Sequence, residues 1–485
     1  MNLDQVGQEA LAQIKKASTS GMLTATGLQG IDLMGIIQNI PVPASWYNML
    51  AQTTPDEGGP FAIWRVMTNI NNQQLNPATA FDSAAPLHKD NLITVSVPYQ
   101  KLGYGYTVTK DAVALARGFD DAHAREVFST MGQYKIGADR VSLGGQNFAL
   151  NTPGTPSVAQ SDTGGSIAAS AAVNVKVAAR TATNYYYGGS TVASAQGSVT
   201  TSTVAAATHS ATATVAAVPG AVAYDWFVAG FYYTTTIVNK VTITSIPTAN
   251  QAVPTLPNLS TVAPTSVPAS DSSANPNEFN GLLATLAGDY NAAANGNGLV
   301  THGTGSPSGA VFTSLDGAAF TGSGQNINEL DALNDAIYQA TFLSPDAYMC
   351  SSKDAAALSK LILSSGTQNT YFTPGADGRS DVTAGGFIGH YVNKSAGGVP
   401  VRIEVHPNMV PGTLIARTDR VNFPNAGYSN VFELRNLDTL QDFQYGAART
   451  AGVGGGPRWD GEVYSSSALI NRAPAAQAVL YNIQS

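Results

Sequence analysis

The chain has 485 residues, of which 44% are hydrophobic and only 12% charged, with a net charge of −8 and a pI near 5.2. That balance argues against a protein that grips nucleic acid, which needs clustered Lys and Arg to displace counterions. It also leaves few charges to coat a free surface, so much of the surface is expected to meet other protein. A single cysteine, Cys350, rules out an intrachain disulfide or a Cys-rich metal site. The opening MNLDQVGQEALAQIKKAST lacks the basic and apolar segments of a secretory signal, and no stretch reaches the ~18 apolar residues of a membrane span.

Residues 3–17 read as a short amphipathic helix, with Leu3, Val6, Ala10 and Ile14 on one face. Residues 18–59, rich in Gly, Pro and Thr, read as an extended arm, so 1–59 is taken as one N-terminal segment. Residues 60–106 read as a two-stranded ribbon around a polar middle. Its return strand LITVSVPYQ alternates, with Ile93, Val95 and Val97 on one side. A two-stranded ribbon is marginal in water and needs another surface to lie on. Within 107–150 comes the strongest helical signal. Asp120 and Asp121 can cap it, Ala124, Val127, Phe128, Met131, Tyr134, Ala138 and Val141 recur at three- and four-residue spacing, and Gly144-Gly145 stops it.

The composition changes at Asn151. Residues 151–276 hold only six charged residues: Asp162, Lys176, Arg180, Asp225, Lys240 and Asp271. Short alternating runs (Val173, Val175, Val177; Val222, Tyr224, Trp226, Val228; Val241, Ile243) predict an inserted β-sandwich over 151–246. Six prolines over 247–276 predict a semi-stiff linker. Beyond it, INELDALNDAIYQATF reads as a helix burying Leu330, Leu333 and Ile337. Ser351 can cap a second helix running to Leu363, and Val399, Val401, Ile403 and Val405 alternate as a half-buried strand. The outer parts, 1–150 and 277–485, read as one α+β body interrupted by the sandwich.

No catalytic, cofactor-binding or metal-binding residue is assigned. G-x-S-x-G, H-E-x-x-H and a phosphate-loop G-K-[ST] are all missing from the sequence. His302 beside GTGSPSG reads as loop. Asp377–Asp381 (DGRSD) lacks the remaining oxygen ligands and the closing Glu of a calcium loop and reads as a solvated turn, and Lys89 reads as a surface lysine. Trp226 reads as sandwich core, whereas the run Tyr185–Tyr187 is balanced between packing and surface contact. No enzyme activity is expected.

The order of these elements resembles tailed-bacteriophage major capsid proteins, whose shared fold is named for the phage Hong-Kong-ninety-seven. NLITVSVPYQKLGYGYTVTKDAV (91–113) resembles the return strand of the family's ribbon and the start of its peripheral domain. DDAHAREVFSTMGQYKIGADRVSLGG (120–145) resembles its spine helix, and FNGLL (279–283) the segment that normally follows that helix after a short loop. VPVRIEVHPNMVPGTLIARTDR (399–420) and APAAQAVLYNI (473–483) resemble late strands of its axial domain, which with the rest of the peripheral domain would span 277–485. GAVAYDWFVAG (220–230) resembles fibronectin type III or bacterial immunoglobulin-like domains. The resemblance implies a virion shell subunit, assembled in a bacterial host's cytoplasm, that forms homo-hexamers and homo-pentamers around double-stranded DNA. It further implies a separate scaffolding protein, a portal and decoration proteins as partners, with no membrane, and an insert on the outer surface. The alternative is another phage structural protein or a surface adhesin carrying an immunoglobulin-like carbohydrate-binding module.

Overall fold

A computed structural model describes residues 45–54, 59–67, 78–85, 92–117, 121–204, 208–262, 264–289, 301–302, 309–323, 326–364, 372–374, 380–382, 388–423, 427–448 and 457–484. The expected helix at 3–17, the arm up to residue 44, Lys89 and Asp120 lie outside the described residues. Helices and strands are interleaved along the chain, so the α+β class read from the sequence is the class observed. The chain divides into two compact units. One contains Lys101–Ala138 and Asn436–Ser467; the other contains Ser45–Gln100, Asp139–Arg435 and Ala468–Ser485.

In the first unit a sheet is covered on one face by the long helix Ala122–Gly144. Its strands are Gln100–Thr109 and the adjoining parts of Phe432–Ala448 and Arg458–Asn471. Asp121 caps the helix, its Oδ1 accepting from the amides of His123 and Ala124 at 3.1 Å. Tyr134 is buried and its hydroxyl lies 2.6 Å from Ser465 Oγ, while the Tyr106 ring meets His123 edge-on. The expected apolar stripe holds from Tyr134 onward. Ala124 and Phe128, expected to point inward, are exposed.

The second unit is built on a six-stranded mixed sheet. In spatial order its strands are Val311–Ser314, Ala478–Tyr481, Leu414–Arg417, Ala347–Cys350, Val399–Val405 and His390–Asn393. Helices Asn328–Thr341 and Ser352–Ser364 bury Leu330, Leu333, Ile337 and Leu358 in a core with Tyr348, Ile403 and Leu480. Ser351 caps the second helix, its hydroxyl accepting from the Asp354 amide. In Val399–Val405 only Val401 and Ile403 are buried; Val399 and Val405 at the ends are exposed.

Seven strands between Ser157 and Ile243 form the sandwich. The second, third, fifth and sixth (Ala172–Arg180, Gly197–Thr200, Ala223–Val228, Phe231–Thr236) make one sheet. The first, fourth and seventh (Ser157–Ser161, Ser210–Thr214, Lys240–Ile243) make the other. Val173, Val175, Val177, Tyr224, Trp226 and Val228 interdigitate with Ala211, Ala213, Val241 and Ile243. An immunoglobulin constant-type domain groups strands one, two, four and five against three, six and seven. The connectivity here is different, so the chain shares the two-layer architecture and not that strand order.

Residues 247–276, expected as a linker, fold back as a strap. Val253 and Val267 cover Ala178, Phe227 and Tyr232 on the outer face of the four-stranded sheet. Backbone bonds fasten the strap: the amides of Gln251, Ala193 and Ser272 donate to the carbonyls of Tyr232, Pro268 and Ser190. The prolines restrain the strap's backbone without keeping it away from the sheet, because the sheet's apolar outer side chains need cover. On that same face Arg180 and Asp225 form a wholly buried ion pair at 2.7 Å, and Thr235 Oγ1 donates to Asp225 at 2.6 Å.

The chain leaves for the sandwich and returns at one place. The Gly281 amide donates to the Gly145 carbonyl at 2.7 Å. A Cβ on Gly145 would meet Phe279 O at 2.5 Å, and one on Gly281 would meet Val141 O at 2.5 Å. Two bare backbones cross here, which explains why the helix ends in Gly144-Gly145 and why FNGLL carries a glycine.

Candidate functional site

The side chains weighed for chemistry do not converge. Among the described residues no group of three or more His, Cys, Asp or Glu could hold a metal ion. His302 lies on a two-residue strand, Thr301–His302, paired with Gly288–Asp289. Asp381 lies on the short strand Ser380–Val382; residues 377–379 of the DGRSD motif are outside the described residues. Cys350 is buried in the six-stranded sheet, where burial and then the nearby Asp354 push its thiol up to about 12. Trp226 is core, donating from Nε1 to Thr236 Oγ1 at 2.8 Å. In the tyrosine run, Tyr185 and Tyr186 are buried and Tyr187 is exposed. No helix among the described residues is long and apolar enough to cross a membrane.

What the structure offers instead is contact surface. The ribbon strands Phe61–Met67 and Leu92–Pro98 pair antiparallel, with Trp64 opposite Val95 and Val66 opposite Ile93. Period-two alternation gives the ribbon two unlike faces. Ala62, Trp64, Val66, Val95 and Val97 are buried against Phe148, Ala284, Ala468 and Ile470, and Trp64 Nε1 donates to Asn471 O at 3.1 Å. The other surface that the ribbon was expected to need is supplied, for this face, by the chain's own body. The opposite face is open, with Phe61 48% and Ile63 58% exposed, and Phe81 beyond the paired strands is fully exposed.

In the other unit, among the described residues, the long helix covers one side of the sheet only. On the bare side Lys101 pairs with Glu462 and lies 4.3 Å over the Tyr464 ring. Phe443 and Tyr445 contact each other edge-on at 5.2 Å and are 50% and 59% exposed, and Leu437 shares their face by alternation.

A third feature was missed in the sequence. Ser45–Met49 is a short helix, and Trp46 within it is 2% exposed, although this stretch was expected to belong to an extended arm. The Tyr47 amide donates to Asp139 at 2.9 Å, and Trp46 Nε1 donates to Ser142 O at 3.3 Å. The guanidinium of Arg417, fully buried, lies 5.0 Å over the Trp46 ring and pairs with Glu404 and Asp419. The following strand Ala51–Thr53 pairs parallel with Glu433–Arg435. Burial alone would raise the Glu433 carboxyl. Hydrogen bonds from Thr53 and Arg472 outweigh it and hold the group below its ordinary range. Only the tryptophan in SWYNML hinted that this stretch is anchored.

No protein-family model and no curated protein matches the chain. Among solved structures it is similar to the capsid of a native GTA particle, at 8% identity and a TM-score of 0.41 over 90% of each chain. It is similar to the capsid of cyanophage A-1(L), at 10% identity and a TM-score of 0.44 over 96% of this chain and 99% of that one. It is also similar to an encapsulin complex from Synechococcus elongatus, at 11% identity and a TM-score of 0.37 over 91% and 88%.

Proposed function

We propose that the chain is a shell-forming structural subunit of the tailed-phage major capsid type, which associates with identical copies into hexamers and pentamers around DNA. The observation that carries this reading is the pair of open surfaces: the outer ribbon face at Phe61 and Ile63, and the bare sheet face at Leu437, Phe443 and Tyr445. Each carries exposed apolar side chains, and each belongs to a strand pair or sheet whose other face is filled. The resemblance of the element order to that family supports the same reading.

The energetics favour repetition over a single pairwise contact. Burying the remaining half of one such side chain contributes about 1 kcal/mol. A handful of them only offsets the roughly 4–15 kcal/mol lost when two molecules associate. Head-to-tail contacts that close a ring avoid paying that loss afresh at every contact. The net charge of −8 suits a wall that encloses DNA without gripping it. A separate scaffolding protein, a portal and decoration proteins belong to the same proposal.

Purified protein examined by negative-stain microscopy and sedimentation velocity tests it. Rings or shells are expected. A single compact species at every concentration, with residues 61–67 and 92–98 protected on both faces, would overturn the reading.

A further inference from the structure

The sandwich makes contacts with the body that a loosely tethered module would not. They centre on the turn at 406–412, which joins two strands of the six-stranded sheet. From the sandwich side, the Tyr186 hydroxyl donates to Asn408 O at 2.5 Å and Asn258 Nδ2 donates to Pro407 O at 3.3 Å. A Cβ placed on Gly412 would meet Ile237 Cδ1 at 3.3 Å. Nearby, Asn239 Nδ2 bridges the sandwich carbonyl of Val215 and the body carboxylate of Asp316, at 2.7 and 2.9 Å. The Arg140 guanidinium lies 4.6 Å from the Tyr186 ring centre, so the end of the long helix is part of the joint.

From the body side, the same turn holds the N-terminal segment. His406 Nε2 lies 3.3 Å from the Trp46 amide, and Asn408 Nδ2 donates at 2.7 Å to Asp139, whose other oxygen takes the Tyr47 amide. The Gly412 amide donates to Asp354, and the Ile483 amide donates to Gly412 O at 3.1 Å. The N-terminal segment, the helix end, the sandwich and the last residues of the chain thus all fasten to seven residues.

We infer that the inserted sandwich is an intramolecular brace: it fixes the turn 406–412, and through that turn it holds residues 45–53 on the body. This role is independent of the shell-forming reading, because it concerns one subunit. A tethered receptor-binding module would require the joint to be sparse and hydrated, whereas Tyr186, Ile237, Asn239 and Asn408 are all buried.

Hydrogen exchange on dissociated full-length subunits tests the brace. Tyr186→Phe removes the hydroxyl and keeps the ring; Asn239→Ala cuts the second tie. In the double variant, amides of 406–412 and of 46–51 should exchange at least about tenfold faster, while those of 172–180 and 223–228 in the sandwich core stay protected. Unchanged exchange at 406–412 and 46–51 would overturn the inference. Faster exchange at 406–412 with 46–51 unchanged would overturn the coupling to the N-terminal segment. Should the sandwich core open as well, Tyr186→Phe alone decides: with an intact core it must still quicken exchange at 406–412, or the brace is wrong. Since assembly is not read in this experiment, failure of the shell proposal would leave its outcome unchanged.

Discussion

The two faces of the ribbon should answer differently to substitution. Trp64 is 5% exposed, packed among Val66, Val95, Val97 and Ile470, and donates to a backbone carbonyl. Trp64→Ala removes a buried aromatic at a cost of about 3–5 kcal/mol. It also takes away the Asn471 carbonyl's bond from Nε1, for which the penalty of an unmet buried acceptor is roughly 1–3 kcal/mol. Ile63 sits one residue earlier, is 58% exposed, and faces away. Ile63→Ser should change the subunit's own stability by no more than about 0.5 kcal/mol. It should weaken each intersubunit contact by about 1 kcal/mol, roughly a fivefold rise in the concentration needed for assembly. Thermal unfolding of dissociated subunits reads the first quantity, and sedimentation velocity over a concentration series reads the second. If Ile63→Ser lowered the unfolding temperature as much as Trp64→Ala and left assembly untouched, the assignment of inner and outer faces would be wrong.

Other outcomes follow from buried charge and backbone strain. Arg180→Met leaves Asp225 buried without its partner, and breaking such a pair should cost about 3–5 kcal/mol at neutral pH. Burial already raises the Asp225 carboxyl. A raised acid is tolerated when protonated, so this variant's stability should be greatest below the ordinary carboxylate range and fall as pH rises through the raised value; melting curves against pH check the sign. Glu433 runs the other way, since its folded-state value is depressed. Its contribution is complete above the ordinary value of 4.5 and is lost as pH falls through the depressed one, so acid should quicken hydrogen exchange in Ala51–Thr53 first. Gly412 has φ +82° and would place a Cβ 3.0 Å from Ile483 O, so Gly412→Ala should cost at least about 1–2 kcal/mol, measured as a lower unfolding temperature. Cys350 should resist a thiol reagent in the native protein and react once unfolded, because burial holds the thiol protonated.

Local periodicity carried much of the architecture. Alternation at Val173, Val175 and Val177 and at Tyr224, Trp226 and Val228 marked sandwich strands, and the same positions are buried. The spacing of Leu330, Leu333 and Ile337, the cap at Asp121 and the stop at Gly144-Gly145 marked helices within a residue or two. These signals are legible because they depend on neighbours within one turn or one strand. The candidate surfaces were only half legible. Alternation in LITVSVPYQ showed that the ribbon has two faces, but not which face its own body fills, since that depends on Phe148 and Ile470, far away in the chain.

The sequence by itself determined the class of elements and the alternating runs that become strands of the sandwich. Only the tertiary structure decided that the proline-rich stretch is a strap, that Trp46 is anchored, and that distant segments meet at 406–412. Those outcomes turn on long-range burial: a proline restricts its own backbone wherever it lies, but whether the segment stays in solvent depends on an uncovered apolar sheet elsewhere in the chain.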